Sequence, residues 1–189
     1  MTELWTPPGA PAHRIRRLRR TDYDRLIESG AFDHERVELV RGVIVEMAPH
    51  GPIHAALIQR LSHLLLPPLL SRALVRVQLP LLGPDESEPE PDLAVVPLGD
   101  YLGAHPSAAH CVIEVADTTL AYDRETKGPL YAAMGVAEYW IVNVRGDRID
   151  VYREPSDDGY AVAQPHRRGQ RIGLLAFPDV TIDPTDVLP

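Results

Sequence analysis

Two short, nearly unbroken apolar runs, Leu93-Ala94-Val95-Val96 and Cys111-Val112-Ile113-Glu114-Val115-Ala116, constrain this chain more than any other feature. A strand wetted on one face alternates polar with apolar residues, so continuous runs of this length mark strands covered on both faces. They are the heart of a sheet. Each also carries an acid where hydrocarbon is expected: Asp92 opens the first run and Glu114 interrupts the second.

Around these runs the pattern predicts the remaining elements. Residues 37–47 read as a β-hairpin turning at Arg41-Gly42, with Gly42 supplying the positive φ of a two-residue connection. In that register Val40 faces Val43 and Glu38 faces Val45, which puts Glu38 on the more apolar side. An acid there is either an edge residue reaching water or a buried group with a partner. Thr21 and Asp22 offer capping side chains for a short helix that Gly30 should stop. From Gly51, Ile53, His54, Leu57, Ile58, Leu61, Leu64 and Leu65 recur at helical spacing until Pro67-Pro68 is expected to end the run. For His54, a core hydrogen bond is the commoner fate, ahead of metal ligation or catalysis. Val75, Val77, Leu79 and Leu81 alternate as a strand with one wet face. A helix over about 123–134 precedes strands near 138–143, 148–153 and 160–164, with a last segment around 174–182.

Composition bounds what such a sheet can serve. The chain has 189 residues, 44% of them hydrophobic, enough for one well-buried core. Residues 1–20 read as a flexible basic arm, with Arg14, Arg16, Arg17, Arg19 and Arg20, and residues 21–189 as a single domain. Those arginines form either a solvated face or a nucleic-acid contact. The lone Cys111 excludes an intramolecular disulfide framework and a cysteine-cluster zinc site, and its apolar setting makes it a core residue. No stretch approaches the roughly 20 apolar residues of a bilayer crossing, and no leader pattern opens the chain, which is therefore read as soluble and cytoplasmic. A formal net charge of -8 should repel a phosphate backbone, so any nucleic-acid function needs a local cationic lane.

Asp92 and Glu114 are costly to bury as anions unless one is protonated or a cation lies between them. With no cysteine cluster and no paired histidines expected, their oxygens suit Mg²⁺ or Mn²⁺ better than Zn²⁺. Lys127 leaves from the buried stripe of Leu130, Tyr131 and Met134. With Pro129 in a first helical turn, it would also sit near the positive end of a helix dipole, where an anion must offset it. Asp, Glu and Lys meeting at a metal can polarise a phosphoryl oxygen, activate a water and stabilise the developing charge. A structural ion-pair network explains each residue separately about as well.

The run Pro91-Asp92, Ile113-Glu114-Val115, Tyr122-Asp123-Arg124 with Lys127, Tyr131-Ala132 and Gly135-Val136-Ala137-Glu138-Tyr139-Trp140-Ile141-Val142 resembles the Uma-type family of restriction endonucleases. Glu38-Leu39-Val40-Arg41-Gly42, Glu46-Met47 and His54 also fit, so the resemblance covers about residues 23–180. It implies an α/β, restriction-endonuclease-like fold of the PD-(D/E)xK superfamily: a mixed central β-sheet flanked by α-helices, with a metal-dependent nuclease site. By the same resemblance Asp92 and Glu114 bind Mg²⁺ or Mn²⁺, Lys127 stabilises or orients the attacking water, and Glu38 is an outer acidic member. Three positions depart from the pattern. Ala116 stands where the superfamily commonly has its lysine, leaving that role to Lys127, while Arg41 and Asn143 replace acids outside the proposed site.

The function expected is therefore DNA endonuclease, a hydrolase of phosphodiester bonds. A homodimer would suit duplex cleavage, although no segment marks an interface. The alternatives are a non-catalytic binding or assembly module on a nuclease fold and a metal-assisted hydrolase of another phosphate ester. With aromatics at 6%, there is no platform for sugars, and no glycine-rich phosphate loop occurs.

Overall fold

The computed structural model describes residues 16–189. In chain order its elements are α1 (Arg20–Glu28), β1 (Val37–Val40), β2 (Val43–Glu46), α2 (Pro52–Leu69), β3 (Leu74–Val77), β4 (Leu93–Val96) and β5 (Cys111–Ala116). A helical stretch follows, made of α3 (Leu120–Tyr122), a π-helical turn (Asp123–Lys127) and α4 (Gly128–Ala133). The chain closes with β6 (Glu138–Asn143), β7 (Arg148–Ser156), β8 (Gly159–His166), β9 (Ile172–Leu174), β10 (Phe177–Ile182) and α5 (Pro184–Val187).

Strands β3 to β8 form one sheet in sequence order, antiparallel throughout except for the parallel β5–β6 pair, which the 120–133 helical stretch connects. The parallel pair requires that crossover. Every residue of β4, β5 and β6 is buried, as the apolar runs require. One face packs Ile113, Val115, Trp140 and Val142 against Leu57, Leu61, Leu65 and Leu69 of α2 and against the β9–β10 hairpin. The other packs Val112, Tyr139 and Ile141 against Tyr131 and Val136. Glu114 shares the parity of Val112 and so points to this second face. Cys111 is buried in the core, and burial raises its thiol well above the ordinary range. Among the described residues, no helix is long and apolar enough to cross a membrane.

The hairpin has the expected register, with Glu38 opposite Val45 and Val40 opposite Val43. Both turn residues have positive φ, 49° at Arg41 and 79° at Gly42. Only glycine suits the second position, because a Cβ on Gly42 would come within 2.4 Å of the Arg17 Cβ. The expectation for residues 1–15 lies outside the described residues. Beyond them Arg17 donates to the Arg41 carbonyl at 2.7 Å, Arg20 donates to the Gly83 carbonyl at 2.9 Å and Arg16 pairs with Asp22 at 3.1 Å.

Four local expectations need correction. Helix α1 begins at Arg20 with no side-chain cap, because the Arg20 amide finds the Asp85 carbonyl at 2.6 Å. Helix α2 runs through Pro67 and Pro68 to Leu69, held by the buried Leu65 and Leu69, so packing overrides the missing donors in the last turn. Strand β3 stops at Val77 because Gln78 turns left-handed at φ 51°. Finally, the helical stretch is already running at Leu120, so Lys127 is not at a helix start and the dipole argument for it lapses.

Glu88 bridges backbone to backbone with Leu39 while its carboxyl is buried. Burial and then Asp24 push its pKa from 4.5 up to about 7 against the pull of Arg20. An acid with a raised folded pKa loses stability as pH climbs from its unfolded to its folded value. Glu88→Gln should therefore match the parent in thermal unfolding at pH 5 and exceed it at pH 8, by up to about 3 kcal/mol.

Candidate functional site

Strand register builds the centre. Strands β4 and β5 pair antiparallel with Leu93 opposite Ile113, and one further step brings Asp92 opposite Glu114 on the same face. The Asp92 amide donates to Glu114 Oε2 at 3.2 Å, and the Val115 amide donates to Asp92 Oδ2 at 2.8 Å.

The π-helical turn supplies the cation. Lys127 and Tyr131 lie four residues apart and converge on one oxygen: Lys127 Nζ is 2.9 Å, and the Tyr131 hydroxyl 2.7 Å, from Glu114 Oε1. Lys127 Nζ also reaches Glu38 Oε2 at 3.2 Å. Glu38 is held in turn by the Glu90 amide at 3.0 Å and the Tyr122 hydroxyl at 3.3 Å. Of its two sequence readings, the structure shows the buried group with a partner. Such π turns recur at functional sites because they re-aim side chains within a helix.

Of the three acids and one lysine picked out from the sequence, Asp92, Glu114 and Lys127 line a cleft of about 290 Å³, and further residues join them there. His54 Nε2 lies 2.9 Å from Asp92 Oδ1, and its ring stacks on His50 at 4.2 Å between centroids. The expected lack of paired histidines is thus corrected: the loop before α2 folds His50 onto His54 beside an acid. Their spacing of four residues was a readable signal. Asp123 is buried on the cleft wall and accepts from the Thr119 hydroxyl at 2.6 Å. Arg36 pairs with Glu90 at the rim.

Electrostatics show how uneven this group is. Burial pushes Glu114 up to about 8 despite Lys127 beside it, and Asp123 up to about 6 despite Thr119 and Lys127. Burial acts the same way on Asp92, but the hydrogen bond and charge of His54 outweigh it and hold Asp92 below its ordinary value. Burial would lower His54, and Asp92 reverses the direction. For Lys127, burial is overcome by Glu114 and Glu38, which keep the amine charged. Three buried carboxyl groups, Asp92, Glu114 and Asp123, line the cleft with Lys127, half-buried His54 and Arg36, and buried Glu38 meets Lys127 behind that lining.

The family model Uma2, described as "Putative restriction endonuclease", matches residues 20–185. A solved structure of a putative nuclease belonging to DUF820, from Anabaena variabilis, is similar with a TM-score of 0.71. The likeness covers 90% of this chain and 97% of that one at 14% identity, and it shows a shared fold. Comparison with curated proteins gave no significant match.

Proposed function

The chain belongs to the Uma2 family, and from that premise we propose that it is a metal-dependent DNA endonuclease, hydrolysing phosphodiester bonds in the cleft between Asp92 and Lys127. The observation that supports this reading is the meeting of Asp92, Glu114 and Lys127 in one cleft that solvent reaches.

Asp92 and Glu114 would hold Mg²⁺ or Mn²⁺, which when bound polarises a phosphoryl oxygen and lowers the pKa of a coordinated water. Lys127 keeps its proton between Glu114 and Glu38, so its part is electrostatic: a fixed ammonium beside the place where phosphoryl charge develops. Glu38 is a positioning residue, anchored by the Glu90 amide and holding the amine in place. Tyr131 fixes the Glu114 carboxyl from the other side.

The test is cleavage of supercoiled plasmid and short duplexes in Mn²⁺ or Mg²⁺ by the parent and by Glu114→Gln. The amide keeps an oxygen for Lys127 and Tyr131 and denies the ion a charged ligand, but its nitrogen faces the Asp92 amide, so thermal unfolding of the variant is measured beside its cleavage. The parent should nick and linearise DNA, and the variant should be at least about a hundredfold slower. Equal cleavage by both proteins would count against the reading.

A further inference from the structure

We propose that His54 and His50 supply nitrogen ligands to the ion held at Asp92, so that this centre selects Mn²⁺ over Mg²⁺. The proposal rests on the nuclease reading above and specifies the metal that site takes.

Geometry comes first. His54 Nε2 and Asp92 Oδ1 are 2.9 Å apart. Two donors bound at right angles to one ion at ~2.1 Å stand ~3.0 Å from each other, so an ion that displaces the proton now held between this pair finds the spacing of an octahedral edge. His50 offers a third donor, and the ligand atoms of His50, His54 and Asp92 all lie within 4.8 Å of one another. Both histidines line the cleft that contains Asp92 and Glu114.

A second observation is the residue that braces them. Gln78 is held at φ 51°, a left-handed conformation that an ordinary side chain adopts only under constraint. There its backbone amide donates to the Asp92 carbonyl at 3.1 Å. Its Nε2 lies 2.8 Å from His50 Nδ1 and 3.5 Å from Asp92 Oδ1. The same Gln78 nitrogen is 3.3 Å and Arg36 Nη1 3.4 Å from His50 Nε2, so His50 must turn away from Arg36 to offer a nitrogen to an ion, and His54 is the ligand already in place.

The ligand set then decides the metal. Mg²⁺ sheds water reluctantly and takes oxygen donors, whereas imidazole suits transition ions. One or two nitrogens beside Asp92 and Glu114 should penalise Mg²⁺ relative to Mn²⁺.

The experiment uses the full chain, with calorimetric titration of Mn²⁺ and of Mg²⁺ and pulsed electron paramagnetic resonance of bound Mn²⁺. The parent should bind Mn²⁺ at least about tenfold tighter than Mg²⁺ and show ¹⁴N modulation from a coordinated imidazole. His54→Ala should weaken Mn²⁺ by about tenfold or more, change Mg²⁺ by less than about twofold and reduce the ¹⁴N signal. His50→Ala, on the loop before α2, should give a smaller loss of the same kind. Bound Mn²⁺ with no ¹⁴N modulation in the parent overturns the proposal whatever the variants do, and the nuclease reading then stands if Asp92→Asn abolishes binding. No Mn²⁺ binding by the folded parent overturns both.

Discussion

Asp92→Asn should slow phosphodiester cleavage by about a thousandfold or more, equivalent to ~4 kcal/mol of barrier, while the protein remains folded. The carboxamide oxygen can still accept the Val115 amide that Asp92 Oδ2 accepts at 2.8 Å, and its nitrogen can still face His54. What disappears is the anionic charge that burial opposes and His54 sustains. Single-turnover cleavage with saturating Mn²⁺, beside thermal unfolding in chelator, separates the two effects. A variant that cleaves at the parent's rate would remove Asp92 from the chemistry.

The other large effect is expected at Lys127. Lys127→Met fills similar space but takes away the ammonium that lies 2.9 Å from Glu114 and 3.2 Å from Glu38. Breaking a buried pair from one side typically costs about 3–5 kcal/mol, because the remaining charge has neither water nor partner. Glu114 already resists ionising up to about pH 8, and without the lysine it resists further, so the loss should be larger at pH 8 than at pH 6. Saturating Mn²⁺ should restore part of the unfolding temperature by binding only the folded state. A non-catalytic ion-pair network predicts the same loss in chelator and no recovery with metal.

Much of the fold could be read from local pattern because local physics decides it. The β1–β2 register follows from alternation and a two-residue turn, and a slip of one residue would have moved Leu39 out of the core. Strands β4, β5 and β6 were legible as apolar runs because burial on both faces leaves no other composition. The helix end at Leu69 was not, since the packing of Leu65 and Leu69 outweighs what Pro67 and Pro68 forbid. Nor was the π turn, which has no propensity signature of its own.

The candidate site divides along the same line. Asp92, Glu114 and Lys127 stood out as polar groups in apolar stretches, and all three line one cleft. Tyr131 was on the stripe already assigned to Lys127, so its contact with Glu114 was within reach. His50, Gln78 and Asp123 were not singled out. Their placement depends on how the start of α2 and the left-handed residue after β3 meet the ends of β4 and β5.

The most direct test of the central claim is an anomalous difference map from crystals grown or soaked in Mn²⁺. The expected result is a peak bonded at about 2.0–2.3 Å to carboxylate oxygens of both Asp92 and Glu114, with Lys127 adjacent. Full Mn²⁺ exposure with no peak there, and Lys127 still bridging Glu114 and Glu38, would contradict it.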